Sequence, residues 1–157
     1  MTDDTTRIQF HEGSLLLPPG FEDRTTNLFV PADTAKQPNL SVARDWLNED
    51  ETLSAYIDRQ LSQLRKRMPG HKLLNREPEQ LGAGEAALTG ERIDASYRNG
   101  DRTVHQRQAA FIVAPRRALI LTASSPRPFD EAFETLWRDW LDGYQQPSDS
   151  TDESVQL

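Results

Sequence analysis

One dipeptide constrains this chain more than any other feature. Asn99-Gly100 stands between two long runs of strand-forming residues, Ala86–Arg98 and Arg102–Val113. Asn-Gly is a preferred centre for a two-residue hairpin loop, because both positions tolerate positive φ and the turn's twist matches that of the strands it joins. The chain is therefore expected to be built around a long antiparallel hairpin. Pairing Arg98 with Asp101 sets Ala87 opposite Ile112, Thr89 opposite Ala110, Glu91 opposite Gln108 and Ile93 opposite Gln106. Leu88 then meets Phe111, and Asp94 meets His105, on the other face. Register matters here, since a slip of one residue exchanges the two faces.

The remaining punctuation adds elements to that hairpin. Ile8–Phe10 and Ser14–Leu17 read as short strands around Gly13, and Pro18-Pro19-Gly20 ends them. Asn27–Val30 is a strand stopped by Pro31. Asn39–Trp46 alternates, with Leu40, Val42, Arg44 and Trp46 on one face and Asn39, Ser41, Ala43 and Asp45 on the other. A helix over Leu53–Met68 is capped by Thr52 and carries Arg65, Lys66 and Arg67 in its last turn, which suits the helix dipole. Its residues Leu53, Tyr56, Ile57, Leu61, Leu64 and Met68 form one apolar stripe. Ala118–Ala123 is a further strand. Phe129, Ala132, Phe133, Leu136, Trp137, Trp140 and Leu141 then form the stripe of a second helix, stopped at Gly143.

These elements predict an α+β domain: an antiparallel sheet of about five to seven strands with two amphipathic helices packed on one face. The other sheet face would then be left for function. The expected organisation is a flexible N-terminus over 1–7, a single domain over 8–144 and a disordered acidic tail over 145–157.

Composition excludes several classes of function. With 25 acidic against 18 basic residues the net charge is −7, the wrong sign for wholesale phosphate binding, so no nucleic-acid partner is expected. The absence of cysteine removes disulfides, thiol nucleophiles and thiolate metal sites together. No apolar run approaches a membrane span, and Met1–Gln9 lacks the basic start and apolar core of a signal peptide. Direct membrane insertion is not expected, and the cytoplasm is the expected location.

The catalytic inventory is thin. His11, His71 and His105 are scattered without metal-ligand spacing, and there is neither a Gly-x-Ser-x-Gly elbow nor a phosphate-cradling loop. Gly82-Ala83-Gly84 precedes a strand instead of a helix and so lacks helix-dipole support for an anion. No catalytic residue, metal or cofactor is assigned. A deep pocket gathering two or more of Glu91, Asp94 and His105 would restore a small hydrolase or metal enzyme. The more informative feature is polar side chains on a sheet face: Glu91, Gln106 and Gln108 beside Ile93, Val104, Ala87 and Ile112, and Asn39 and Ser41 beside Ala43. A solvated face would show the same scatter. A half-apolar groove dotted with hydrogen-bonding groups would instead suit an apolar helix.

The order of elements resembles a known family. Leu15-Leu16-Leu17-Pro18 through Gly20-Phe21, then Asn27-Leu28-Phe29-Val30, is similar to the opening of the Eag chaperones (the DUF1795, DcrB-like family), adaptors for effectors of the bacterial type VI secretion system. The likeness continues in Leu40-Ser41-Val42-Ala43-Arg44-Asp45, in Leu53 through Leu61, and in Met68-Pro69-Gly70-His71-Lys72-Leu73-Leu74, covering Ile8 to Tyr144. The resemblance implies a Mog1/PsbP-like fold and a non-enzymatic, cytoplasmic homodimer. It further implies binding of the N-terminal transmembrane helices of Rhs- or PAAR-type effectors. Carried over by position, it places effector-helix contacts at Thr26, Leu28, Asn39, Ser41, Ala43, Gln60 and, on the hairpin, Gln106 or Gln108. A second reading of the same fold is a general protein-binding module, in the manner of Mog1-like proteins, that recognises a folded partner.

Overall fold

The computed structural model describes residues 6–147. Eight strands and two helices follow in the order β1 (Thr6–Phe10), β2 (Gly13–Leu17), β3 (Asn27–Phe29), β4 (Asn39–Trp46), α1 (Leu53–Arg67), β5 (Lys72–Leu81), β6 (Leu88–Asn99), β7 (Arg102–Ala114), β8 (Arg117–Ser125) and α2 (Glu131–Asp142). Strands β1 and β2 form a separate hairpin. The other six make one antiparallel sheet in the order β3-β4-β8-β7-β6-β5. The expected α+β class is the observed one. Thr6 and Arg7 belong to β1 instead of a flexible end, and Gln145–Pro147 form no helix or strand. The remainder of the expected terminal segments, 1–5 and 148–157, lies outside the described residues.

The long hairpin exists with its register moved by two residues. Asn99 pairs with Arg102, so that Glu91 faces Ala110, Ile93 faces Gln108 and Ala95 faces Gln106. The loop is therefore Gly100-Asp101, and only Gly100 takes a positive φ, +68°. One glycine at the first loop position suffices for a II′-like turn. An even shift preserves face parity, so Ile93, Gln106 and Gln108 still share a side. The expected Asp94–His105 pair does not form: Asp94 lies opposite Arg107, and His105 opposite Ser96.

Strand β5 is an element that the sequence reading leaves unassigned. It is the outermost strand on its side of the sheet, where the missing N–H of Pro78 costs least.

The helices lie on opposite faces of the sheet, which corrects the expectation that both share one. Helix α2 buries Phe133, Trp137 and Leu141 against Leu81, Ala109, Phe111, Leu121 and Ala123. Helix α1 buries Tyr56, Ile57 and Leu61 against Leu47, Ile93, Ala110 and Ala118. Ala109 and Ala110 are adjacent on β7 and so point to opposite faces, which separates the two cores. The physical reason is composition. Strands β7 and β8 are apolar on both faces over Ala109–Phe111 and Ala118–Leu121, so each face needs a cover. Gly90 of β6 serves the α2 side, since a Cβ there would lie 2.1 Å from the Ala110 carbonyl and 2.5 Å from the Phe111 ring. That ring is fully buried as a result.

Candidate functional site

The α2 side has the stronger electrostatics and the more complete packing. Phe129, Phe133 and Trp137 stack in series, with ring centroids 3.9 and 6.3 Å apart. The Arg107 guanidinium lies 5.0–5.4 Å from all three ring centroids. Although only 2 % of its side chain is exposed, Arg107 donates in bidentate fashion to Asp94 at 2.7 and 3.2 Å and to Glu134 at 2.7 and 3.0 Å. Buried Glu79 accepts from Trp137 Nε1 at 2.9 Å, from Arg138 at 2.6 Å and from Arg92 at 3.1 Å. Burial opposes ionisation of Glu79, but these bonds outweigh it and hold the carboxyl at about 2. Buried Arg107 and Glu79 are both paired with charges on α2, so this network is a clamp that fixes α2 to the sheet.

The α1 side is built differently. Its cross-strand rows can be read from the pairing. One row runs Leu28–Ser41–Thr122–Gln108–Ile93 across β3, β4, β8, β7 and β6. The next runs Asn39–Ser124–Gln106–Ala95, and a third runs Ala43–Ile120–Ala110–Glu91. Helix α1 covers the end of this face nearest Leu47 and Ala118, where the Tyr56 hydroxyl donates to Asp45 at 2.7 Å. Burial, and then that carboxylate, push the Tyr56 phenol well above its usual range. Beyond the helix the first two rows lie open as a shallow trough from Leu28 and Asn39 to Gln108 and Gln106, while Ile93 and Ala95 at their inner ends are buried. Gln60 on α1 and Gln108 on β7 meet at its inner wall, with Tyr56, Ile57, Ile93, Ala110 and Ile120 around a notch of about 50 Å3. That volume admits a methyl group or a water molecule, not a small-molecule substrate.

Most of the residues expected from sequence meet here. Leu28, Asn39, Ser41, Ala43, Gln106 and Gln108 share the α1 side of the sheet, and Gln60 flanks them from the helix. Thr26 is not brought into the sheet: it is exposed immediately ahead of β3. Gln106 donates to Ser124 Oγ at 3.1 Å. Asn39, Ser41, Gln60, Gln108 and Thr122 make no side-chain hydrogen bond among the described residues. Thr122 and Ser124 are members that sequence reasoning missed. Their signal is alternation along β8, where Ala118, Ile120, Thr122 and Ser124 share one face and Leu119, Leu121 and Ala123 the other.

The trough is not a helix-free sheet face, as expected from sequence, but the uncovered half of the face that α1 occupies. The residues that would have restored a hydrolase do not converge. Glu91 lies on the α1 side bonded to Arg76 at 2.9 Å, Asp94 lies on the α2 side bonded to Arg107, and His105 stands edge-on to Phe129. No helix is long and apolar enough to cross a membrane among the described residues.

The chain matches the DcrB family over residues 12–143. It belongs to that family. Among curated proteins this DcrB-family chain is 28 % identical over 136 residues to the Pseudomonas aeruginosa protein named Effector EagT6, covering 85 % of this chain and 90 % of that one. Among solved structures it resembles a Pseudomonas aeruginosa protein of unknown function, PA94, described as a putative regulator. There the TM-score is 0.71 at 22 % identity, over 94 % of this chain and 100 % of the other. It also resembles Mycobacterium tuberculosis LpqN, described as involved in cell envelope biogenesis, with a TM-score of 0.50 at 15 % identity, over 91 % of this chain and 78 % of that one. At those identities the structural matches establish the fold alone.

Proposed function

We propose that this protein is a non-catalytic chaperone and adaptor of a type VI secretion effector. It would work as a homodimer in the cytoplasm and hold the effector's N-terminal transmembrane helices until loading. The single observation that supports this most is the trough on the α1 side: exposed Leu28 at its outer end, and beside it neutral amides and hydroxyls, mostly without partners among the described residues. Membrane helices recognise one another through close packing of small residues plus side-chain hydrogen bonds. A surface that replaces another membrane helix needs both, with no charge to desolvate against an apolar client. The likeness to Effector EagT6 agrees with an effector-associated role.

Co-expression with an effector N-terminus that bears transmembrane helices tests this. The expected result is a soluble complex, lost in Ser41→Asp or Leu28→Asp while the circular dichroism of the fold is unchanged. A client equally soluble or equally insoluble without this protein would overturn the reading. Retained binding in both variants would remove these residues from the site. A folded client domain without apolar helices, captured as well as the helix-bearing one, would favour a general protein-binding module instead.

A further inference from the structure

Most arginines that this chain withdraws from solvent are matched by an acid. Arg59 pairs with Glu51, Arg76 with Glu91, Arg92 with Glu79, Arg107 with Asp94 and Arg138 with Glu79. Two further arginines are half-buried, Arg44 and Arg117, and neither has a carboxylate within ion-pair reach among the described residues. Both line the same cavity. It has a volume of about 440 Å3, and Leu88, Val113, Leu119 and Tyr144 supply its apolar surface. Arg44 lies opposite Leu119 across β4 and β8, in the row next to Val42 and core residue Leu121, so the cavity opens on the α2 side.

The two guanidinium groups are held in place without being neutralised. Arg44 Nη1 donates to Asn27 Oδ1 at 2.7 Å and to the Thr25 carbonyl at 3.1 Å. The Arg117 guanidinium lies 5.2 Å from the Trp46 ring centroid, and its Nε is buried without a hydrogen-bond partner. Stacking on an aromatic ring leaves the planar fork of an arginine oriented for a carboxylate. The acid near both is Asp23, but its carboxylate accepts from the Thr25 N–H at 3.0 Å and from the Thr25 hydroxyl. Those bonds hold it below the usual carboxylate range, with Arg44 and Arg117 adding at longer range. A second cavity, of about 560 Å3, shares Arg44, Leu119 and Tyr144 with the first and continues past Val42, Leu121 and Trp140. Asp139 lines this second cavity and not the first. The two make one open furrow between the end of α2 and strand β4, with no acid lining its arginine end.

We infer that this furrow docks an acidic peptide segment of a partner protein, its carboxylates on Arg44 and Arg117 and an aliphatic side chain over Leu88, Val113 and Leu119. Charge requires the acid. A cation withdrawn from water without an anion is costly, and the other withdrawn arginines all have one. A ligand carboxylate completes the same pattern here through charge-assisted hydrogen bonds. Shape requires a chain. A small molecule is bound by a concave site that buries most of its surface, whereas a furrow open along its length lets an extended peptide run through. Bulk attraction plays no part, because a net charge of −7 repels an acidic partner at long range and leaves recognition to these two side chains. The furrow lies on the face opposite the α1-side trough, so both can be filled at once, and its assignment does not rest on the function proposed above.

Fluorescence anisotropy on the full chain tests this. The probe is a fluorescein-labelled octapeptide in which Glu and Val alternate, beside a counterpart with Gln in place of Glu. The Glu peptide should bind saturably and the Gln peptide about tenfold more weakly, the low end of what hydrogen bonds to a charged group are worth. Arg117→Gln should weaken the Glu peptide by a similar factor, and Arg117→Lys by less. Arg65→Gln, which removes an exposed charge from α1, should leave binding unchanged. The inference is overturned by absence of saturable binding, by equal binding of the two peptides, by a folded Arg117→Gln chain that binds as before, or by an equal loss through Arg65→Gln. If Arg117→Gln fails to fold, the two peptides on the parent chain decide. The rival occupant is residues 148–157, which carry Asp149, Asp152 and Glu153 and follow Pro147 in the furrow wall. If the peptide binds only to the full chain with Asp149→Asn, Asp152→Asn and Glu153→Gln, that segment is the occupant and the partner is overturned.

Discussion

The two faces of the sheet handle polarity in opposite ways. On the α2 side the polar groups are charged and matched around buried Arg107 and Glu79: Arg107 with Asp94 and Glu134, Glu79 with Arg92, Arg138 and Trp137. Buried charge without a partner is costly, so losing one member of such a network strands the others. In the uncovered trough of the α1 side the polar groups are neutral, exposed or half-buried, and mostly without partners among the described residues, whereas under and beside α1 charges are paired, as in Arg76–Glu91. Holding them open costs little, because solvent reaches them. Paired charge marks where a helix is fixed to the sheet, and neutral polarity marks the uncovered part available for recognition.

The contrast breaks most visibly in the α2 core. Trp137→Ala removes a fully buried ring from the aromatic series and should lower stability by about 3–5 kcal/mol in urea denaturation. At temperatures where the variant stays folded, client capture through the α1 side should be unchanged. Coupled loss of both would mean that the two faces are not separable.

A smaller effect belongs to the buried carboxylate. Glu79 ionises at about 2 in the folded protein against an ordinary 4.5. A depressed carboxyl contributes stability that is fully present above pH 4.5 and is lost as pH falls towards 2. Glu79→Gln should therefore destabilise the neutral-pH protein by on the order of 2–3 kcal/mol. It should also flatten the decline between pH 4.5 and 2 in denaturation midpoints. An acid profile unchanged by the substitution would assign that decline to other carboxylates.

The smallest effect sharpens the recognition side. Gln108→Leu keeps apolar contact in the trough and deletes one amide. Hydrogen bonds between membrane helices average about 0.6 kcal/mol, so client affinity should weaken about threefold, with the melting temperature held or raised. A loss of a hundredfold would mean that this amide does more than decorate a packing surface.

Much of this was legible in the sequence. Alternation along Asn39–Trp46 assigned each residue to its true face; α1 stands where its stripe and cap put it, with Thr52 accepting from the Ala55 N–H, and α2 stops at Gly143 as expected but begins at Glu131, after Phe129 of its expected stripe. The trough members on β4 and β7 followed, since parity survived the hairpin's two-residue shift. What the sequence concealed has physical causes. Amphipathicity says that a helix has a covered side but not which sheet face covers it, and so α1 and α2 were placed together. Strand β5 is hidden by Pro78 and its charges, which an edge tolerates and a central strand would not. Thr122 and Ser124 were obscured because β8 is apolar on both faces at its start and polar on one only towards its end.

The neutrality of the open trough has a consequence for how a bound helix would leave it. No side chain among Asn39, Ser41, Thr122, Ser124, Gln106, Gln108 and Gln60 ionises at any physiological pH, so neither acidification nor ionic strength offers a lever on release. A helix seated there would be surrendered to something that binds it better, such as a lipid phase, or be drawn out by force applied elsewhere on its own chain.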